Sequence, residues 1–124
     1  MIRVFNAADS IKFYQDVFNF RVKRLINFDR FDLIYLGNDE TDFELELTAN
    51  HQQQTNYELG NGYGHLAFAA TDIELLHNEA VSKGYQPKEV KSFYNGETLV
   101  AKFFFINDPD GYDIEVIERS EFYR

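Results

Sequence analysis

The feature that most constrains the fold is a repeated order of elements in the two halves of the chain. Hydrophobic spacing in each half predicts a short strand, an amphipathic helix and then three further strands. A polar segment without periodicity, about residues 51–61, lies between the halves. We therefore expect an α+β protein of two tandem βαβββ modules, about 1–50 and about 62–120, that form a curved mixed sheet within a single domain, 1–124.

The first module is read from its periodicities. "MIRVFN" alternates and predicts a strand, whereas "ADSIKFYQDVFNF" has helical spacing and begins at a cap, Asp9 or Ser10. "FRVKRLINF" and "FDLIYLGN" are rich in β-branched and aromatic residues, which predicts two more strands. In "DFELELT" the apolar residues, Phe43 included, face the helix. Glu46 and its polar neighbours therefore face the other way.

The second module has clearer turn and helix-capping signals. "YGHLAFAA" predicts a strand, and "TDIELLHNEAVSKG" predicts a helix with a capping box of Thr71 and Glu74 and with Gly84 at its end. "YQPKEV" predicts a short edge strand, and "TLVAKFFFI" predicts a strand buried on both faces. "NDPDG" is a turn, with Pro109 at its second position and Gly111 at its fourth, and "YDIEVIE" is the closing strand.

Composition limits the classes of function. The chain has no cysteine, which excludes disulfides and thiolate metal sites and makes the cytoplasm the expected location. Its formal net charge of −9 disfavours nucleic acid as a partner, because phosphates would be repelled. No apolar run approaches the length of a membrane span, and the N-terminus does not resemble a signal peptide, so we expect no membrane partner.

Strand alternation collects polar residues on the face away from the helices. Arg3, Glu46, His65 and Glu115 are all expected there. One imidazole and two carboxylates suit Zn²⁺, Ni²⁺, Mn²⁺ or Fe²⁺, and buried carboxylates need a cation or hydrogen-bond donors. The alternative, which alternation alone leaves open, is that the acidic side chains line a solvated sheet face.

Four segments in this order resemble the glyoxalase I (lactoylglutathione lyase) branch of the vicinal oxygen chelate superfamily. They are "MIRV" with "SIKFY" near the start, "FELELTAN" (43–50), "YELGNGYGHLAF" (57–68) and "DPDGYDIEVIE" (108–118). The resemblance implies a glyoxalase fold and a homodimer in which each site draws on both subunits. It also implies a divalent metal ion, nickel or zinc, as cofactor and glutathione as co-substrate.

The resemblance also assigns roles to residues. The family's metal ligands match Glu46, His65 and Glu115, and its contacts to the glutathione part of the substrate match Arg3 and Asn50. A fourth ligand, histidine or glutamine in the family, is expected two positions before the methionine that begins this sequence, and a water is the alternative.

The implied activity is a metal-dependent lactoylglutathione lyase. Such an enzyme converts the hemithioacetal of methylglyoxal, a 2-oxoaldehyde, and glutathione into S-lactoylglutathione by proton transfer through a metal-stabilised enediolate. Glu115 is the expected catalytic base and Glu46 is the second candidate.

Other activities of the superfamily form the alternatives. Ring-cleaving dioxygenases and resistance-type transferases favour two histidines, and here only His65 is well placed. A metal-free or weakly metallated small-molecule binding protein would use aromatic residues as a pocket lining, for which the candidates are Phe28, Tyr35, Phe93 and Phe104. A related lyase with another substrate is the third alternative.

Overall fold

A computed structural model describes all residues, 1–124. The elements in chain order are β1 (Ile2–Arg3), α1 (Ala7–Phe18), β2 (Arg21–Asn27), β3 (Phe31–Gly37), β4 (Leu45–Asn50), β5 (Leu66–Ala70), α2 (Ile73–Ser82), β6 (Lys91–Asn95), β7 (Thr98–Asn107) and β8 (Asp113–Glu118). The order βαβββ therefore occurs twice, as the periodicities predict. Neither helix is long and apolar enough to cross a membrane.

The pattern of strand pairing is the same in the two modules, as is the order of their elements. The strands form two four-stranded sheets, ordered β1-β4-β3-β2 and β5-β8-β7-β6. In each sheet the first strand of the module is parallel to the last, and the other pairs are antiparallel. Both sheets are thus mixed, as expected. The chain divides into two compact units, 1–60 and 61–124, each containing one helix and one sheet.

In the first unit α1 covers one face of its sheet. Ile2 and Val4 are buried whereas Arg3 between them is exposed, which confirms the predicted alternation of the first strand. The helix contributes an aromatic cluster in which the rings of Phe13 and Tyr14 meet edge to face at 5.0 Å. The remaining buried residues of this core include Val17, Phe18, Phe20, Ile34, Leu36, Leu45 and Leu47.

Both helices begin at residues other than those predicted. Asn6, not Asp9 or Ser10, caps α1, and its side chain accepts a hydrogen bond from the N–H of Asp9 at 3.2 Å. Asp72, not Thr71, caps α2. A cap needs extended backbone dihedrals just before the first helical turn, and Asn6 and Asp72 have them. Spacing alone located the helices but not this change in backbone.

Two strands of the second unit differ from the prediction. The edge strand is Lys91–Asn95 rather than residues 85–90, because Pro87 has no N–H and only Lys88 bonds to β7 before the ladder begins. β7 is also not buried on both faces. Phe104 is 1% exposed, so it belongs to the core rather than to a pocket, whereas Phe103 and Phe105 on the opposite face are half-buried.

The turn before β8 forms as predicted. The N–H of Gly111, at φ +88°, bonds to the carbonyl of Asp108, and the Asp108 carboxylate accepts the N–H groups of Asp110 and Tyr112. β8 then alternates as expected, with Ile114 fully buried. β4 differs at its start, because the strand begins at Leu45 and Phe43 is 44% exposed rather than part of the helix-facing row.

Candidate active site

The first unit places Glu46 opposite Tyr35. The two residues are directly paired across β3 and β4, and Glu46 is half-buried between the buried Leu45 and Leu47. Paired residues point to the same face, so the Tyr35 hydroxyl adjoins the Glu46 carboxylate. Hydrogen bonding to Glu46, followed by desolvation, raises the pKa of Tyr35. Glu46 therefore faces away from the helix, as predicted.

Arg24 completes a row of side chains on this face. Its guanidinium lies 4.3 Å from the ring centroid of Tyr35. The same guanidinium donates two hydrogen bonds, of 2.7 and 3.1 Å, to the carboxylate of Glu44. Bidentate pairing fixes the plane of the guanidinium and, through it, supports the Tyr35 ring. Sequence reasoning missed Arg24, because its contact with Tyr35 depends on the pairing of β2 with β3.

The predicted glutathione contacts share the face of Glu46. Arg3 is paired with Thr48, which is two residues from both Glu46 and Asn50 on the same strand. Alternation therefore places all four on one side of the sheet. The amide of Asn50 donates a 2.8 Å hydrogen bond to the hydroxyl of Tyr57, a partner that the sequence did not indicate.

In the second unit His65 and Glu115 meet. Nε2 of His65 lies 3.3 Å from Oε2 of Glu115, and their side chains are 44% and 16% exposed. Ala67 and Phe105 flank Glu115 on the neighbouring strands. The ring of Phe105 contacts the imidazole edge to face, with centroids 5.3 Å apart. Two of the three predicted ligands are thus brought together, fifty residues apart in sequence.

Tyr63 anchors the segment that carries His65, which lies just before β5. Its hydroxyl donates a 3.0 Å hydrogen bond to the carbonyl of Asp113, and its ring packs edge to face on Tyr112. Burial of Tyr63 raises the pKa of its hydroxyl, which keeps the donor protonated. The approach to His65 is therefore tied to the start of the strand that carries Glu115.

The His65–Glu115 pair fits two adjacent ligands of one metal ion. The two donor atoms are 3.3 Å apart. If each were about 2.1 Å from one ion, the angle between the two bonds at the ion would be about 100°, which lies between the octahedral and the tetrahedral angle. No group of three His, Asp or Glu side chains is close enough to hold a metal. Glu46 belongs to the first unit, and His65 and Glu115 belong to the second.

The other two histidines are engaged elsewhere. His51 is 3.1 Å from the carboxylate of Asp32. Nε2 of His77 is 3.1 Å from the carbonyl of Lys88, and its ring packs on Phe104. Of the three histidines, His65 alone contacts a carboxylate that the sequence predicts as a metal ligand.

The two units place Glu46 and Glu115 at equivalent positions. Each glutamate lies on the last strand of its module, opposite an aromatic residue of the preceding strand. That residue is Tyr35 for Glu46 and Phe105 for Glu115. The duplicated topology therefore presents a glutamate at the equivalent position of each module, on the face away from the helix.

Comparison with known proteins gives consistent matches. The model of the Glyoxalase/Bleomycin resistance protein/Dioxygenase superfamily matches residues 1–116. The lactoylglutathione lyase of Haemophilus influenzae is 40% identical over 126 residues, which cover 97% of this chain and 90% of that protein. The lactoylglutathione lyase of Neisseria meningitidis serogroup A is 38% identical over 125 residues and covers 97% and 88%.

Solved structures agree with these matches. Glyoxalase I from Zea mays has a TM-score of 0.82 and 31% identity, over 96% of this chain and 43% of the maize chain. The trypanothione-dependent glyoxalase I of Leishmania major has a TM-score of 0.73 and 32% identity, over 95% and 82% of the two chains. The maize protein is thus more than twice as long as the part that this chain matches.

Proposed function

Because the chain belongs to the glyoxalase/bleomycin resistance protein/dioxygenase superfamily, we propose that it is a metal-dependent lactoylglutathione lyase. Its substrate is the hemithioacetal of glutathione and methylglyoxal, and its product is S-lactoylglutathione. The observation that carries the proposal is the contact between His65 and Glu115. These two residues match metal ligands of the family that the sequence resembles. Relatives named lactoylglutathione lyase, at 38–40% identity over nearly the whole chain, support it.

Glu46, His65 and Glu115 would hold the metal ion, nickel or zinc. When bound, the ion supplies positive charge beside the oxygen atoms of the substrate and so makes the adjacent carbon more acidic. His65 contributes a neutral imidazole nitrogen, and its contact with Phe105 holds the ring edge-on. The two carboxylates offset the charge of a divalent cation.

Glu115 moves the proton. Its carboxylate removes the proton from the hydroxyl-bearing carbon of the hemithioacetal and returns it to the neighbouring carbonyl carbon, while the hydroxyl proton passes to the former carbonyl oxygen, so that the substrate is isomerised without net gain or loss of atoms. Glu115 is only 16% exposed, which limits exchange of that proton with water. Glu46, its equivalent in the first module, is the alternative base.

Arg3 and Asn50 bind the glutathione part of the substrate. A guanidinium pairs well with a carboxylate, and a positive group is needed to attract an anionic thiol adduct to a protein of net charge −9. These residues belong to the first unit, and His65 and Glu115 belong to the second. A homodimer in which each site draws on both subunits is part of the proposal.

Substitution of the paired residues tests the proposal. His65→Ala and Glu115→Gln, each loaded with Ni²⁺ or Zn²⁺, should lose hemithioacetal turnover by at least about a hundredfold. Asp113→Asn is the matched control, because Asp113 lies on the same strand face but bonds to Asn107. Full activity in the first two variants would refute the proposed function.

A lyase for another thiol is the second candidate. It is favoured by the similarity to a glyoxalase I that is described as trypanothione-dependent. Comparing kcat/KM for the hemithioacetals of glutathione and trypanothione distinguishes the two, and a tenfold or greater preference for trypanothione would replace glutathione in the proposal.

A further inference from the structure

The chain contains two Asn-Gly dipeptides, Asn61–Gly62 and Asn95–Gly96, and neither takes part in the proposed lyase chemistry. An asparagine followed by glycine can cyclise, because glycine has no Cβ to hinder the approach of its nitrogen to the asparagine Cγ. The sequence alone does not distinguish the two dipeptides. Their surroundings in the structure do, because one of them is restrained by strand pairing and the other is not.

Asn61 and Gly62 lie in the turn where the chain passes from the first compact unit to the second, and both residues are exposed. The amide of Gly62 and the side chain of Asn61 have no hydrogen-bond partner in the protein. A Cβ placed at Gly62 would meet no atom within 4 Å. No contact therefore prevents the Gly62 nitrogen from approaching the Cγ of Asn61.

Asn95 is restrained by the hairpin that joins β6 to β7. It is paired with Thr98 across the ladder, and only Gly96 and Glu97 lie between the two. Gly96 has φ +62°, which a two-residue hairpin turn with glycine at its first position requires. Ring closure needs rotation about the Cα–C bond of the asparagine, and that rotation would break the pairing with Thr98. Asn95 must therefore leave the strand before it can react.

Asp110–Gly111 is a third dipeptide in which the same ring could form, and it is also restrained. The amide of Gly111 donates a 3.0 Å hydrogen bond to the carbonyl of Asp108, and the carboxylate of Asp108 accepts from the N–H of Asp110 at 2.9 Å. The nitrogen that would attack is thus already engaged as a donor. Of the three dipeptides, Asn61–Gly62 is the least restrained.

We propose that Asn61 is a site of spontaneous deamidation, so that the folded protein acquires aspartate or isoaspartate where its chain passes from the first unit to the second. The Gly62 nitrogen loses its proton and bonds to the Cγ of Asn61. The bond from Cγ to Nδ2 breaks, and the leaving nitrogen takes up a proton and departs as ammonia. The product of this step is a five-membered succinimide ring.

Water then opens the succinimide in one of two ways. If the new bond between Cγ and the Gly62 nitrogen breaks, residue 61 becomes aspartate. If the original bond between the backbone carbonyl carbon and that nitrogen breaks, the chain continues through Cγ as isoaspartate. Each product adds a negative charge, and isoaspartate also adds a methylene group to the backbone four residues before His65. This inference does not rest on the proposed function.

Ageing of folded and unfolded protein in parallel tests the proposal. The full chain is incubated at mildly alkaline pH, with and without a denaturing concentration of guanidinium chloride. It is then digested at mildly acidic pH, at which further reaction is slow. Peptide mass spectrometry measures the replacement of nitrogen by oxygen at Asn61 and at Asn95. Because the two dipeptides are identical, the unfolded protein gives the reference rate for each.

In the folded protein Asn61 should react at least about tenfold faster than Asn95, because Asn95 must first give up its strand pairing. In the unfolded protein the two rates should be similar, because that pairing is absent. A ratio of the two rates that is no greater in the folded than in the unfolded protein would overturn the proposal. So would folded protein in which Asn61 does not react.

Gly62→Ala is the matched variant, because the added methyl group has open space and Gly62 does not have a positive φ. It should slow the reaction at Asn61 by about tenfold, through hindrance at the attacking nitrogen, and leave the rate at Asn95 unchanged. Circular dichroism verifies that the variant folds. An unchanged rate at Asn61 in folded Gly62→Ala would overturn the assignment of the Gly62 nitrogen as the attacking group.

Isoaspartate is detected directly with a methyltransferase that is specific for isoaspartyl carboxylates. Aged wild-type protein should accept methyl groups from this enzyme, and aged Asn61→Gln should accept far fewer, because the longer side chain forms a ring less readily. Equal methylation of the two aged proteins would place the modification at another residue and would overturn the proposal.

Discussion

His51 and Asp32 form an ion pair that joins the β2–β3 hairpin to the end of β4. Nε2 of His51 is 3.1 Å from Oδ2 of Asp32, and Nδ1 is 3.2 Å from the carbonyl oxygen of Asp29. Asn27 donates to the other carboxylate oxygen of Asp32. Because both ring nitrogens face acceptors, the arrangement favours the protonated imidazole.

This pair predicts a specific pH dependence of stability. Hydrogen bonding to Asp32 raises the pKa of His51, so its contribution is complete below about pH 6.5 and is lost as the pH rises through the folded-state pKa. The pKa of Asp32 is lowered by Asn27 and then His51, so its contribution is complete above about pH 3.9 and is lost in acid. The free energy of unfolding should therefore fall between pH 6 and 9 in wild type and fall less in His51→Asn, as urea titrations can measure. Identical slopes in the two proteins would contradict the ion pair.

The buried centre of β4 predicts a large loss of stability on truncation. Leu47 is fully buried, so Leu47→Ala should lower the free energy of unfolding by about 2–5 kcal/mol. Leu75 on α2 is 55% exposed, and Leu75→Ala should cost much less. Equal shifts of the denaturation midpoint in the two variants would place Leu47 outside the core.

The cap of α2 is tested by two adjacent substitutions. Asp72→Ala removes the side chain that accepts from the N–H of Leu75 and should cost about 1 kcal/mol. Thr71→Ala should cost less, since Thr71 is not the cap. If Thr71→Ala lowered the thermal unfolding midpoint more than Asp72→Ala did, the identification of Asp72 as the cap would be wrong.

The Asn50–Tyr57 hydrogen bond predicts an effect on substrate binding. Tyr57→Phe removes the oxygen that accepts from the Asn50 amide, so the amide loses its fixed orientation. Since Asn50 is proposed to contact glutathione, KM should rise several-fold while kcat changes little. Tyr94→Phe, on the exposed edge strand, is the control. An unchanged KM in Tyr57→Phe would separate this hydrogen bond from substrate binding.

Regular alternation made most of the fold predictable from sequence. A period of two in the strands and 3.6 in the helices distinguishes buried from exposed faces, which is why the face of Glu46 and Glu115 was identified correctly. The repeated order of elements likewise predicts two modules from the sequence alone.

Details that depend on register or on single backbone dihedrals were not predictable. The contact of Arg24 with Tyr35 requires an irregularity in the β2–β3 ladder between Val22 and Arg24, which alternation does not reveal. The two caps required knowing where the backbone becomes helical. Likewise, Pro87 correctly predicts that this part of the chain forms an edge strand, but it does not reveal that the strand pairing begins at Lys91.

The most direct test of the central claim is turnover by wild-type protein before and after removal of metal. Protein dialysed against a chelator should convert the glutathione–methylglyoxal hemithioacetal no faster than buffer does, and added Ni²⁺ or Zn²⁺ should restore formation of S-lactoylglutathione, identified by NMR. Chelated protein that retains full turnover would contradict metal dependence, and metal-loaded protein that forms no S-lactoylglutathione would contradict the proposed lyase activity itself.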